Sequence, residues 1–272
     1  MSASVVVLAS ECPPNDPGFC APSVLEFFPK PLATFDLFGV HFAITRITVI
    51  LWIATAVMVW FFIAATRNMQ LVPGKRQYFA ESGYSIIRDG VAREVIGTEG
   101  LRFAPYLASL FFFIVINNIM GIIPFAQIPP TGRFAFPVVL ATITYVLFNW
   151  VGIRQQGVGP YFKNNLFPAG VPKPLYLLVT PIEFASTFVF RPFTLSVRLF
   201  ANMLDGHLLL AIFAAGTVYL FTVGNFSVIF APVSFAMSVV MTFFELLVQV
   251  LQAYVFVVLT SAYIAGAMEE AH

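Results

Sequence analysis

Arg198, Asn202, Asp205 and His207 fall within RPFTLSVRLFANMLDGHLLL, from Arg191 to Leu210, in sequence otherwise dominated by Leu, Phe, Val and Ala. A second group, Glu245, Gln249, Gln252 and Tyr263, interrupts the equally apolar FELLVQVLQAYVFVVLTSAYIAG. A guanidinium stays protonated under any realistic condition. At membrane depth Arg198 therefore costs roughly 3 kcal/mol on insertion scales and must be held by partners or water. Imidazole changes charge near neutral pH, so His207 with Glu245 is a couple suited to relaying protons. The chemistry these residue types can do is ion handling: a fixed cation near titratable groups.

Spacing orders them further. At ~100° per residue, Arg198, Asn202 and Asp205 share one helical face, while His207 points opposite Arg198. Glu245, Gln249 and Gln252 share a face of the later helix, joined by Tyr263. Each unsatisfied polar group in hydrocarbon costs kilocalories, so such a stripe has work to do; a self-satisfied hydrogen-bond ladder between two helices is the plain alternative. If the two helices form an antiparallel hairpin, His207 lies ~13 Å from Arg198 toward the connecting turn, and Glu245 lies ~10 Å from Gln252 toward the same turn. Arg198 then shares a level with Gln252, and His207 with Glu245.

The elements that must carry these groups are membrane helices. The chain has 272 residues, 59% hydrophobic, 16% aromatic and 10% charged, against ~25% charged in an average soluble domain. The expected class is all-α and polytopic. A net charge of +1 gives no electrostatic footprint for nucleic acid. Neither a Gly-rich phosphate loop nor a metal-ligand spacing is present, so no cofactor is expected.

Residues 1–40 carry Pro13, Pro14, Pro17, Pro22, Pro29 and Pro31, which defeats any long regular helix. They are read as an external segment without a cleaved leader. Cys12 and Cys20 there form either a disulfide or two free thiols. The membrane domain runs over 41–268. Spans are expected at about 44–65, 105–123 and 134–153, each near the ~20 residues that cross ~30 Å of hydrocarbon. The first holds Trp52 and Trp60, with Arg46 able to snorkel at its start.

Residues 66–104 hold six basic residues and 154–174 hold three, while Lys30 and Arg133 lie on the other side. The positive-inside rule makes both loops cytoplasmic and the N-terminus external, with 269–272 a cytoplasmic tail. In the first loop Tyr84, Ile87, Val91 and Val95 recur at helical spacing. They suggest an amphipathic helix either on the membrane surface or packed on the protein's own loops. Asn117 and Asn118, mid-span, read first as interhelical hydrogen-bonding groups.

Long apolar stretches at about 175–222 and 228–267 are each about twice the length a perpendicular span needs. They either lie steeply tilted or re-enter the bilayer, broken at Pro192 and Pro232.

Arg191-Pro192, Arg198-Leu199-Phe200 with Asn202, and Gly206-His207 resemble the signature of subunit a of F-type ATP synthases, of bacterial type. Glu245, Gln252 and Tyr263 form a second match and the NNIMGIIPF run from Asn117 a third. Together these cover the latter two thirds of the chain, and the first hundred residues match only in outline.

The resemblance implies three ordinary spans followed by two long, strongly tilted helices in an antiparallel hairpin against a rotating c-ring, with b-type peripheral-stalk subunits as further partners. It implies a proton-translocating stator in the cell (inner) membrane, not catalytic on its own. By the same resemblance Arg198 separates two half-channels, with Asn202 and Gln252 as its neighbours. His207 and Glu245 would line the external half-channel, with Gln249 on the same stripe, and Glu183 and Tyr263 the cytoplasmic one; Asp205, outside the family pattern, reads as an extra acid of the external half-channel, a water-exposed wall residue, or a side chain matched to a change on the ring. Two departures stand out: Asp205 occupies a position where the family has a small residue, and the spacing from Glu183 to Arg191-Pro192 is one residue longer. The rival class is a proton-coupled secondary transporter, against which the two halves show no internal repeat. A purely structural scaffold is opposed by the intramembrane titratable groups.

Overall fold

The computed structural model describes residue 19 and residues 31–37, 40–67, 69–123, 129–167, 175–223 and 226–268. Cys12, Cys20 and the tail 269–272 lie outside them. Five helical stretches are long and apolar enough to cross a membrane: Arg46–Thr66, Thr98–Ile119, Ala135–Gln156, Tyr176–Thr222 and Phe226–Met268.

Helix α1 (Arg46–Thr66) is largely apolar and fully buries only Ile47, Ala54 and Ala65; Phe62 packs on Phe112 of the span that follows, and the opposite face, Trp52 and Trp60 included, is exposed. That suits a helix in hydrocarbon, where an apolar surface carries no penalty. It is preceded by a two-stranded antiparallel hairpin, β1 (Ala33–Leu37) and β2 (Val40–Ile44), with Ala33 opposite Ile44. The prolines upstream hid this hairpin from composition-based reading.

Helix α2 (Lys75–Ile87) continues into a π-helical run, Arg88–Ile96. Its apolar stripe packs on the protein's own helical core. Ile87 and Val91 are fully buried, and Tyr84 and Val95 pack against the same core. Gln77 anchors the approach to α2 by accepting from the Gln70 N–H (3.1 Å) and donating to its carbonyl (3.0 Å).

A 3₁₀ turn, Thr98–Phe103, leads into α3 (Ala104–Ile119), which has Pro105 in its first turn, where the missing N–H has no helical partner to lose. Helix α4 (Ala135–Gln156) runs back beside it. Tyr106 and Thr144 hydroxyls are 3.2 Å apart, Arg102 donates to Gln155 at one end, and Thr131, just before α4, donates to Asn118 Oδ1 at the other (2.7 Å). Gly157, at φ +84°, ends α4 in a conformation other residues avoid. Beyond it the expected loop contains a short helix, α5 (Val158–Leu166), which Gly157, Gly159 and Pro160 disguised.

Helix α6 (Tyr176–Phe184), a second π-helical run (Ala185–Phe190) and α7 (Arg191–Thr222) form one continuous stretch. A 3₁₀ turn, Phe226–Phe230, opens α8 (Ala231–Met268). Leu107 and Ile114 of α3, Phe148 of α4, Leu199 of α7 and Phe256 and Ile264 of α8 belong to one buried cluster.

Candidate functional site

Helices α7 and α8 run antiparallel, as their cross-contacts record. Thr217 Oγ1 bonds Ser234 Oγ at 3.0 Å near the connecting turn. Further along, Gly206 lies against Glu245, Asn202 Nδ2 donates a short hydrogen bond to Gln252 Oε1, and the Arg191 guanidinium sits 5.5 Å from the Tyr263 ring centre. Residue 19 stands at the turn end, its ring 5.6 Å from that of Tyr219.

The α8 stripe is turned inward. Glu245 is 4% exposed, Gln249 0% and Gln252 3%. Gln249 Nε2 donates to Glu245 Oε1 at 3.1 Å, one helical turn apart. Gln249 Oε1 and Gln252 Nε2 are buried without a hydrogen-bond partner among the described residues.

Gly206 explains how closely the acid approaches. A Cβ there would stand 3.1 Å from Glu245 Cγ and 3.2 Å from its Oε1, tighter than ordinary van der Waals contact. His207, 4% exposed, is the next residue, so His207 and Glu245 stand at neighbouring levels of the pair.

The α7 face is turned outward. Arg198 and Asp205 are exposed and Asn202 is half-buried between them. Among the described residues Arg198 makes no ion pair. Between the helices a groove of about 210 Å³ is lined by Asn202, Asp205, Gly206 and Leu209 of α7 with Glu245 and Gln249 of α8, among others. Two carboxylates thus share one groove. At the far end Glu183, half-buried, sits on α6, and Tyr263 packs between Arg191 and Phe148, its ring centre 5.8 Å from the latter's.

The structure therefore brings Asn202, Asp205, Glu245, Gln249 and Gln252 together, places His207 beside them and Arg198 one turn away, and sets Glu183 and Tyr263 apart. Asn118 is the interhelical hydrogen-bonding group that the sequence suggested, though its partner on α8 was not foreseen. Its Oδ1 accepts from Thr131, and its Nδ2 donates to the Gln249 carbonyl at 3.4 Å, bracing the stripe from α3. Asn117, by contrast, donates to Phe113 of its own helix. The polar Asn pair mid-span was the available signal.

The π-helical run Ala185–Phe190 lies between Glu183 and Arg191-Pro192. Pro192 has no N–H, and its ring crowds the carbonyl four residues back. A π-turn, closing its hydrogen bond one residue further along, accommodates that proline.

These features define an all-α polytopic membrane protein built around a helix pair with a buried polar seam and an outward arginine. The sequence profile of the family described as ATP synthase A chain matches residues 48–265. The chain is 44% identical over 252 residues to ATP synthase subunit a of Rhodococcus erythropolis, covering 92% of this chain and 90% of that one. It is 44% identical over 256 residues to the Streptomyces lividans protein of the same name (94% and 90%), and 41% identical over 241 residues to that of Hyphomonas neptunium (86% and 91%). The chain belongs to the ATP synthase A chain family. The matched region takes in α1 and α2 as well as the motif-bearing helices, and leaves β1 and β2 outside it.

Proposed function

We propose that this chain is the proton-translocating stator subunit of an ATP synthase, with Arg198 separating two offset half-channels against a ring of c-type subunits. The observation that carries the reading is the outward Arg198. A cation at membrane depth needs a counter-charge, and Arg198 makes no ion pair among the described residues, Asp205 lying two helical turns along the same face. A carboxylate on a passing ring subunit supplies it: the guanidinium draws that group into its ionised form as it arrives and repels protons that would cross directly. Proton flow is thereby tied to ring movement.

Asp205, Glu245, Gln249 and His207 line the external half-channel in this reading, with Asn202 and Gln252 fixing the helix pair beside the arginine. The unpartnered Gln249 Oε1 and Gln252 Nε2 support an aqueous path, since such atoms are expensive in dry hydrocarbon. Glu183 and Tyr263 belong to the cytoplasmic half-channel. The Tyr176–Thr222 and Phe226–Met268 stretches, 47 and 43 residues long, lie steeply tilted along the ring, the N-terminus is external, and b-type stalk subunits hold the chain still. Arg198→Ala tests the reading: vesicles should contain an assembled synthase that makes no ATP from a proton gradient. Lys should not restore activity, being a point charge whose proton burial loosens. Near-normal proton-driven synthesis in Arg198→Ala vesicles would overturn the proposal.

A further inference from the structure

A cavity of about 450 Å³ lies away from the α7–α8 groove, where the turn into α3 meets the end of α4. It is lined by Arg102, Phe103, Trp150, Val151, Arg154 and Gln155. Its two guanidinium groups are parked on aromatic rings. Arg102 sits 4.8 Å from the Phe103 ring centre, and Arg154 sits 5.2 Å from that of Trp150, one helical turn back. Arg102 also donates to Gln155 Oε1 at 3.3 Å and to Met268 Sδ at 3.0 Å, which ties it to α4 and α8.

Negative charge is short. The carboxylate paired with Arg102 is Glu99 at 3.6 Å, with both side chains more than half exposed (53% and 64%), and such a pair is weak in water. Arg154 is exposed and makes no ion pair among the described residues. The cavity is therefore lined by two cations, one of them loosely paired with an acid outside the lining.

Its position in the membrane follows from the sequence of α4. Trp150 and Val151 belong to the apolar span, and Arg154, Gln155 and Gln156 end it. Trp150 is 55% exposed, as befits a ring at the level where acyl chains give way to headgroups. One wall is apolar and the rim is cationic. Guanidinium forks match phosphate oxygens in pairs, and basic pockets between helices at this depth suit lipid headgroups.

We propose that this cavity binds the headgroup phosphate of an anionic phospholipid, with the first acyl methylenes lying along Trp150 and Val151. The inference does not rest on the proposed proton path, since none of these residues is assigned to either half-channel.

The test uses the full-length chain in dodecyl maltoside, titrated with dioleoyl phosphatidylglycerol, dioleoyl phosphatidylcholine or inorganic phosphate. Bound lipid is read by native mass spectrometry and the unfolding midpoint by thermal scan. Phosphatidylglycerol should stay bound and raise the midpoint, while phosphatidylcholine and inorganic phosphate should do neither. Arg102→Gln and Arg154→Gln should each weaken phosphatidylglycerol binding about five-fold. Arg154→Lys should keep most of it, and Arg67→Gln, outside the cavity, all of it. Should Arg102→Gln loosen the fold, Arg154→Gln carries the test, because its side chain is exposed and makes a ring contact alone. Equal retention of phosphatidylcholine, an unchanged phosphatidylglycerol affinity in Arg154→Gln, or equal stabilisation by inorganic phosphate would each overturn the lipid assignment.

Discussion

Helix α1 and the α7–α8 pair meet the same apolar surroundings in opposite ways. Trp52, Ile53, Trp60 and Ile63 of α1 are exposed and none of its three buried residues is charged, so its contribution is bulk and length. The pair exposes Phe193, Leu209, Phe243 and Leu247 in the same manner but encloses His207, Glu245, Gln249 and Gln252. In water the apolar groups would be the ones to hide. In a membrane apolar groups have no hydrophobic reason to hide, whereas polar groups gain hydrogen-bond partners by being enclosed, so the buried polar seam marks where helix pairing is most closely specified.

The largest expected effect comes from forcing the seam open. Gly206→Leu should reduce proton flux about ten-fold or more, since overpacking costs ~1–3 kcal/mol and the excess falls on Glu245. Dye-quench measurements of proton pumping in membrane vesicles would read it. Ala56→Leu, an enlargement of the same order on the exposed face of α1, should leave flux unchanged. An equal loss in both would erase the distinction between the regions.

Next comes the titratable couple. His207→Ala and Glu245→Gln should each slow proton transport, and the double variant should be non-additive by more than ~0.5 kcal/mol. Exchanging the two side chains should be milder than either single change. A coupling near zero would mean that standing at neighbouring levels does not make them partners.

Smaller is the hydrogen bond that ties the pair together. Asn202→Ala removes an interhelical bond of the kind worth ~0.6 kcal/mol in membranes. It should lower pumping by roughly three-fold, with Gln252→Ala giving a similar figure and the double little more. Strict additivity would indicate that the two amides act separately.

The smallest effect is expected at Asp205. Asp205→Ala should leave assembly intact and shift the pH profile of proton uptake, because a second carboxylate lines the groove with Glu245 and biases its field. An unchanged profile would reduce Asp205 to a passive part of the wall.

The helices were legible because hydrocarbon thickness fixes their length, and the seam because Glu245, Gln249 and Gln252 recur at helical spacing in a run with no other polar reason to do so. Asn118 was legible only as a bonding group. Its link to the Gln249 carbonyl depends on how α3 crosses α8, which no local pattern encodes. The β1–β2 hairpin and α5 were missed because proline and glycine nearby outweighed their short apolar runs. The direction of the 84–95 stripe was undecidable for a simpler reason: the lipid surface and the protein's own core reward the same periodicity.

The π-helical run Ala185–Phe190 bears on how such a chain can vary. A rigid α-helix transmits every inserted residue as a rotation of ~100° to all that follows. A segment able to switch between α and π winding takes up one residue locally, so Glu183 and the helix before it can change phase while Arg198 keeps its orientation. The two ends of the long helix are thereby decoupled as units of variation. Residues before the run can be gained, lost or shifted along the chain without turning Arg198 to another face.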